Sequence, residues 1–283
     1  MHFLYCLLGL TLSLSVLAQQ NTITVKHIQT PLPTTPLAAD WQPVPRYEVQ
    51  MMPQQIAQPI LDQASIDTLS VQGLTDGHLI SWRVSWVDKT QDIQVDTGRF
   101  ADAVALEFPL TSGAAPMMGH KGNTVQILYW KGLWQQDNDQ GFQDVQDLYP
   151  NYWADLYWFA KGSFPYRVPE DFQAPEAKQW FIAYQAGNPM AQWHREQPVE
   201  ELVAEGWGSL TTQSQSVTSG QGVWQEGRWT VMFSRPLTTE DKNDHQFKLG
   251  QKSQIAFAVW QGAADNVGGR KHWSNWITYA IEP

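Results

Sequence analysis

The stretch that decides the fold runs from Asp102 to Trp134 and reads DAVALEFPLTSGAAPMMGHKGNTVQILYWKGLW. At its start, large apolar residues occupy every second position, and the same period of two returns after residue 124. This alternation is typical of half-buried β-strands. The sequence therefore predicts two strands joined by a loop that carries PMMGH, residues 116–120, at its tip.

Two thioethers and an imidazole meet at this tip, from Met117, Met118 and His120. Such donors suit a soft or borderline metal ion. Loops held on rigid strands are also common places for functional sites. The pattern predicts a ligand-bearing loop and does not name the ligand.

Further short elements are predicted on both sides of this stretch. The predicted strands are 66–73, 78–87, 180–185, 228–235, 253–261 and 276–281. Residues 198–205 predict two helical turns, because proline suits the first turn of a helix and Gly206 its C-terminal end. Many short strands without helical periodicity predict an all-β fold, an antiparallel β-sandwich with long loops and a few short helices.

The chain divides into three predicted parts. Residues 1–18 form an apolar run ending in alanine, which indicates a secretory signal peptide, with an N-terminal anchor helix as the alternative. Residues 19–60 are rich in proline and predict an extended arm across the domain surface. Residues 61–283 form the sandwich domain, in which 135–175 predict a long insertion over one end of the sheet.

Composition excludes several classes of function. A net charge of −10 argues against nucleic-acid binding, which needs clustered Lys and Arg. The single cysteine, Cys6, lies in the predicted signal peptide, so the mature chain would carry no disulfide, no cysteine-bound iron–sulfur cluster and no c-type haem. No standard catalytic motif is present, which favours a protein that is not an enzyme. No later stretch is long and apolar enough to predict a membrane span in the mature chain.

A non-covalent haem is compatible with these exclusions. It needs two axial donors, a flat apolar slot and partners for its propionates. The loop GGRKHW at 268–273 offers Lys271 and His272 as nitrogen donors and Arg270 as a propionate partner. Aromatic-rich ends of a sandwich could supply the slot. The alternative is that these residues pack in an ordinary core.

Motifs along most of the chain resemble the haem b (γ) subunits of the type II dimethyl sulfoxide reductase family. These are the γ subunits of ethylbenzene dehydrogenase, dimethylsulfide dehydrogenase, chlorate reductase and selenate reductase. The matching segments are TDG at 75–77, WVD at 86–88, FADAVALEFP at 100–109, PMMG at 116–119, VQILYWKGLW at 125–134, QDLYP at 146–150, AGNP at 186–189, PVEELVAEGWGSLT at 198–211, GRWTVMFSRPL at 227–237, IAFAVWQG at 255–262 and RKHWSNW at 270–276.

The resemblance implies a β-sandwich that holds one non-covalent haem b between a methionine and a lysine. It places the sulfur ligand at Met118, with Met117 as the alternative. It places the nitrogen ligand at Lys271; the alternatives are Lys252, Lys248 and His272. Arg270 and His120 are further candidates for contact with the cofactor.

The resemblance also implies a role and a location. The chain would be a periplasmic electron-transfer subunit without substrate turnover of its own. Its partners would be the iron–sulfur subunit and the molybdopterin subunit of an oxidoreductase complex, and a soluble periplasmic c-type cytochrome. A competing hypothesis from the residues is a carbohydrate-binding β-sandwich module without a redox cofactor, because exposed Trp and Tyr rings also stack on sugars.

Overall fold

A computed structural model describes residues 22–141, 143, 145–152, 174–186, 188 and 195–283. The predicted signal peptide and residues 153–173 of the predicted insertion lie outside the described residues. In the part of the chain that is described, no helix is both long and apolar enough to span a bilayer.

Short strands are the main regular elements of the described chain. They are β1 Thr22–His27, β2 Tyr47–Gln50, β3 Met52–Pro53, β4 Thr68–Thr75, β5 Leu79–Val87, β6 Ala103–Pro109, β7 Val125–Lys131, β8 Val199–Ala204, β9 Thr211–Thr212, β10 Ser219–Gln225, β11 Arg228–Pro236, β12 Lys252–Trp260, β13 His272–Trp273 and β14 Ile277–Ile281. The α-helices are α1 Gly132–Gln140, α2 Val145–Leu148, α3 Pro175–Lys178 and α4 Ile182–Gln185, and 3-10 turns occur at Ala39–Trp41 and Gly262–Ala264.

The strands form two layers joined through β12. The first layer has the order β10-β11-β5-β4-β1-β14, with β2 added to β4. The second has the order β12-β6-β7-β8-β9, with β13 beside β12 and β3 beside β13. The first half of β12 pairs with β14, and its second half, Ala256–Trp260, pairs with β6. The predicted all-β sandwich is therefore confirmed.

Aromatic side chains fill the space between the layers. Trp82 of β5 lies 6.1 Å from Phe108 of β6, measured between ring centroids. Trp130 of β7 lies 4.9 Å from Trp229 of β11. All four rings are at most 1% exposed. Large rings contribute much of the apolar area that stabilises a core, so these contacts between the layers stabilise the fold.

The first strand corrects the prediction of an extended arm over 19–60. β1 lies inside the first layer and pairs in parallel with both β14 and β4, so the sandwich is not purely antiparallel. Ile23 and Val25 alternate with Thr22 and Thr24, and their side chains are buried. The prolines that suggested an arm begin only at Pro31, after this strand.

Two other local predictions are wrong in type. Residues 198–205, predicted as helical turns, contain β8, which pairs with both β7 and β9. Residues 180–185, predicted as a strand, contain α4. In both segments the hydrophobic pattern is too short to distinguish a period of two from a period of 3.6. Contacts with neighbouring segments therefore determine whether a strand or a helix forms.

A buried carboxylate ties three segments together near one end of the second layer. Asp102 accepts hydrogen bonds from the backbone N–H of Asp92, the indole N–H of Trp229 and the backbone N–H of Gly262, each at 2.8 Å. Its side chain is fully buried. The carboxylates of Asp88, Asp92 and Asp102 lie within 4.8 Å of one another.

We expect Asp102→Ala to lower the free energy of unfolding by about 3 kcal/mol, because three buried N–H donors lose their acceptor. Urea unfolding followed by tryptophan fluorescence measures this change. Asp62→Ala, at an exposed position, is the matched control. Equal stability of the two variants would contradict the role of Asp102.

Stability should also depend on pH through this cluster. Burial, and then the charge of Asp88, raise the pKa of Asp102 to about 7. Because the folded state favours the protonated acid, the stabilisation present below the ordinary pKa is lost as pH rises through 7. The free energy of unfolding should therefore fall between about pH 4 and about pH 7, and should fall less in Asp88→Asn. Parallel slopes for wild type and variant in urea titrations would refute this coupling.

Candidate functional site

The candidate site lies against the outer face of the second layer. Large residues of β6 such as Leu106 and Phe108 point into the core, and the residues that alternate with them, Ala105 and Glu107, point outward. Tyr129 and Lys131 of β7 also face outward. The sequence predicted a slot at one end of the sandwich. The candidate site instead lies on a face of one sheet.

A cavity of about 480 Å³ occupies this face. Its floor comes from β6, β7, β8 and β12, and small side chains such as Ala105 and Ala258 leave room above the sheet. Residues of the loops that follow β5, β6, β8 and β12 form its walls. Most of the lining is apolar, and its charged members are Glu107, Lys131 and Lys271. A second cavity of about 200 Å³ is adjacent.

Met118 borders both cavities. Its backbone N–H donates to the two carboxylate oxygens of Glu107, at 3.2 and 3.3 Å, and its carbonyl accepts the N–H of Gly206 at 2.7 Å. Its φ is +67°, a left-handed conformation that is uncommon for a residue with a side chain. Neighbouring hydrogen bonds therefore hold the loop in a conformation that its sequence alone does not favour.

Gly119 allows this loop to close. Its φ is also +67°, and a Cβ atom there would lie 2.4 Å from the carbonyl oxygen of Asn123. No side chain fits at that distance. The glycine of PMMG therefore has a steric role, because it lets the chain turn directly after Met118.

Lys271 borders the same two cavities from the opposite loop. Its ammonium nitrogen lies 5.2 Å from the ring centroid of Trp260. Burial lowers the pKa of Lys271, and the nearby carboxylate of Glu107 acts in the opposite direction. A lysine must lose its proton to bind a metal, so burial shifts Lys271 in the direction that ligation requires.

Glu107 is the acidic group between these two candidates, and it too borders both cavities. Burial raises its pKa to about 7, while the charge of Lys271 and the N–H of Met118 oppose that rise. A single carboxylate thus contacts the Met118 loop and influences the protonation of Lys271. The sequence offers one signal for it: Glu107 interrupts the apolar residues of β6.

Other predicted ligands lie elsewhere. His120 is exposed and borders neither cavity, and its Nε2 lies 2.9 Å from Asn123 Nδ2. His272 is fully buried, and its Nε2 accepts the backbone N–H groups of Ser65 and Ile66 at 2.9 and 3.2 Å. That nitrogen is therefore already engaged within the fold.

The remaining alternatives also separate by position. Lys248 and Lys252 are exposed and border neither cavity. Met117 borders only the smaller cavity. Arg270 is partly buried outside the lining of both, and its Nε has no hydrogen-bond partner among the described residues. Of the predicted donors, the fold brings Met118 and Lys271 together at both cavities.

This arrangement offers one soft thioether and one amine of lowered pKa at an apolar cavity. A thioether and a neutral amine are both ligands that iron accepts, so these two side chains are candidate ligands of one iron centre. The described lining contains no cysteine and no histidine.

Comparison with known proteins gives the family. The family model described as ethylbenzene dehydrogenase matches residues 38–272. A protein of Haloferax mediterranei named as a respiratory nitrate reductase heme subunit is 26% identical over 254 residues, which cover 89% of this chain and 69% of that protein. The chlorate reductase subunit gamma of Ideonella dechloratans is 29% identical over 243 residues, which cover 84% of this chain and 74% of that subunit.

Among solved structures, a family 9 carbohydrate binding module of Caldicellulosiruptor kristjanssonii in complex with cellotriose aligns with a TM-score of 0.40 and 7% identity. The alignment covers 92% of this chain and 93% of the module.

The family match spans most of the chain, including the PMMG loop and Lys271. It agrees with the two curated relatives and with the motifs noted in the sequence. The chain belongs to the ethylbenzene dehydrogenase family and is of the γ-subunit type of the type II dimethyl sulfoxide reductase family.

Proposed function

We propose that this chain is an electron-transfer subunit that binds one non-covalent haem b, with Met118 and Lys271 as its axial ligands. The observation that carries the proposal is that both side chains border the same two adjoining cavities. They reach this place from loops 153 positions apart in the sequence, 118 and 271, so local sequence cannot explain their meeting. Two curated relatives are named as a heme subunit and a γ subunit of reductases, which supports the same role.

The cavity suits a flat macrocycle. Its volume of about 480 Å³ lies within the range of small-molecule and cofactor sites. Alanine side chains on the floor keep the sheet surface low, and Tyr129 and Trp260 add aromatic faces 5.1 Å apart between centroids. Apolar walls exclude water from the bound group and so limit its solvation.

The chain's own groups prepare the two ligands. Glu107 holds the Met118 backbone, so the position from which the thioether side chain extends is fixed before a ligand arrives. Burial lowers the pKa of Lys271, which reduces the free energy needed to release its proton. A bound haem would supply reversible one-electron exchange at iron. Electron exchange at the iron would need no substrate conversion by this chain, which supports a subunit that is not itself an enzyme.

The cysteine content supports non-covalent binding. The chain has one cysteine, Cys6, and covalent c-type attachment uses a Cys-x-x-Cys-His motif. This cysteine content supports haem b over a covalently attached c-type haem. A thioether ligand favours the ferrous state and raises the reduction potential.

The proposed setting is periplasmic. The apolar run at residues 1–18 supports export. An iron–sulfur subunit and a molybdopterin subunit are the proposed complex partners, and a soluble c-type cytochrome is the proposed exchange partner. The net charge of −10 suits attraction of a cationic cytochrome.

The first test is an absorption spectrum of the purified protein after supply of haem. We expect a Soret band that shifts on reduction. Met118→Ala should move the band and weaken haem retention, because iron loses its thioether ligand. Met117→Ala is the matched control and should leave the spectrum unchanged. A colourless protein whose tryptophan fluorescence responds to oligosaccharide would instead support the carbohydrate-binding alternative.

The nitrogen ligand has its own test. Lys271→Met keeps much of the side-chain volume and removes the amine, so the oxidised and reduced spectra should both change. Lys252→Met is the control. It removes an exposed lysine from β12, the strand that also carries Ala258 of the cavity floor, and it should have no effect. If Lys271→Met retains the wild-type spectrum, the amine ligand lies elsewhere and the proposed pair is wrong.

A further inference from the structure

Lys131 is a charged residue of the main cavity that the proposed ligation does not use. It ends β7, and its side chain borders the cavity. Glu107 pairs with Ile127, and Lys131 lies four residues further along β7. At about 3.3 Å per residue, Lys131 lies roughly 13 Å along the floor from the Glu107 position. The two ends of the floor therefore carry different charged groups.

No carboxylate forms an ion pair with Lys131 among the described residues. Arg235 and Asp244 form a buried ion pair, and neither residue borders this cavity. Glu200 on the neighbouring strand attracts Lys131 without forming an ion pair with it, and its carboxylate also accepts the hydroxyl of Thr212 at 2.6 Å. A partly buried cation with no direct ionic contact is costly, so this position favours an anion supplied from outside the chain.

Aromatic rings hold the ammonium group in place. Its nitrogen lies 5.1 Å from the ring centroid of Tyr129 and 4.6 Å from that of Trp134. Those two rings meet edge to face at 5.5 Å. Cation–π contacts restrict the lysine side chain without neutralising its charge. Lys131 is thus positioned in advance and remains able to pair with an anion.

The N-terminus of α1 adds positive potential at the same place. α1 begins at Gly132, directly after Lys131, and has nine residues. No side chain caps this end, and its first turn contains no acidic residue. Leu133 of the first turn also borders the cavity. The N–H of Gly132 donates to the carbonyl of Asp102 at 2.8 Å, so the helix dipole and the N–H groups of the following residues in the first turn are what favour an anion there.

We propose that Lys131, together with the N-terminus of α1, binds a propionate carboxylate of haem b in the main cavity. The inference rests on the function proposed above. It differs from the expectation for Arg270, which borders neither cavity. It makes Lys131 a cofactor-binding residue and gives the haem one orientation, with its carboxylate edge toward α1.

The experiment compares haemin with haemin dimethyl ester, in which both propionates are neutral. Apo-protein is titrated with each compound, and the Soret absorbance gives the two dissociation constants. We expect the wild type to bind haemin about 10- to 100-fold more tightly than the ester, as for a charge-assisted hydrogen bond. Lys131→Met should reduce this ratio to near one, and Lys131→Arg should retain most of it.

Soret and α-band positions should be the same in Lys131→Met as in the wild type, because Met118 and Lys271 are unchanged. Lys89→Met, at an exposed lysine, controls for net charge, and thermal unfolding checks that each variant is folded. If Lys131→Met does not fold, Lys131→Gln is measured in its place.

The outcomes separate the two proposals. A wild type that binds neither compound overturns the haem function and this inference with it. A wild type that binds haemin, together with a Lys131→Met variant that keeps the full preference over the ester, overturns only the role of Lys131. Loss of the preference in Arg270→Met, and not in Lys131→Met, would assign the propionate to Arg270.

Discussion

The contacts of Trp82 with Phe108 and of Trp130 with Trp229 join the two layers, and they determine which face of the second layer remains for a ligand. Because side chains alternate along a strand, burying Phe108 and Trp130 inward forces Glu107 and Lys131 outward. A shift of one residue in the pairing of β6 with β7 would exchange these faces. The charged groups of the cavity would then enter the core, so the inter-layer packing and the site depend on the same register.

The outward face combines two properties that rarely occur together on an exposed sheet. Its middle is apolar and lined by small residues, and its ends carry an acid and two lysines. Loops after four strands cover it, so the charges are partly removed from water, and burial changes the pKa of Glu107, Lys131 and Lys271. Perturbed ionisable groups gathered in one cavity are a common sign of a functional site.

The Met118 loop illustrates how a site is held in place. Its left-handed backbone is stabilised by Glu107 below it and by Gly206 beside it. The loop after β8 therefore helps to position a side chain that comes from the loop after β6. The same principle applies to Lys131, whose direction is set by the rings of Tyr129 and Trp134. In each case a second element restrains a chain that would otherwise have several conformations.

The sequence by itself determined the all-β class, the strands with strong alternation such as β5, β6 and β11, and the loop that carries Met118. These features depend on local periodicity and on turn residues, which neighbouring positions encode. It did not determine β8, whose flanking Pro198 and Gly206 resemble helix ends, or β1, whose partners are 256 and 48 positions away at Thr22↔Thr278 and Val25↔Gly73. Only the tertiary structure brought Lys271 to the cavity that Met118 borders, and only it left Lys131 without an ion pair among the described residues. The physical reason is that burial and proximity across β12, β6 and β7 arise from sheet pairing between distant segments of the chain.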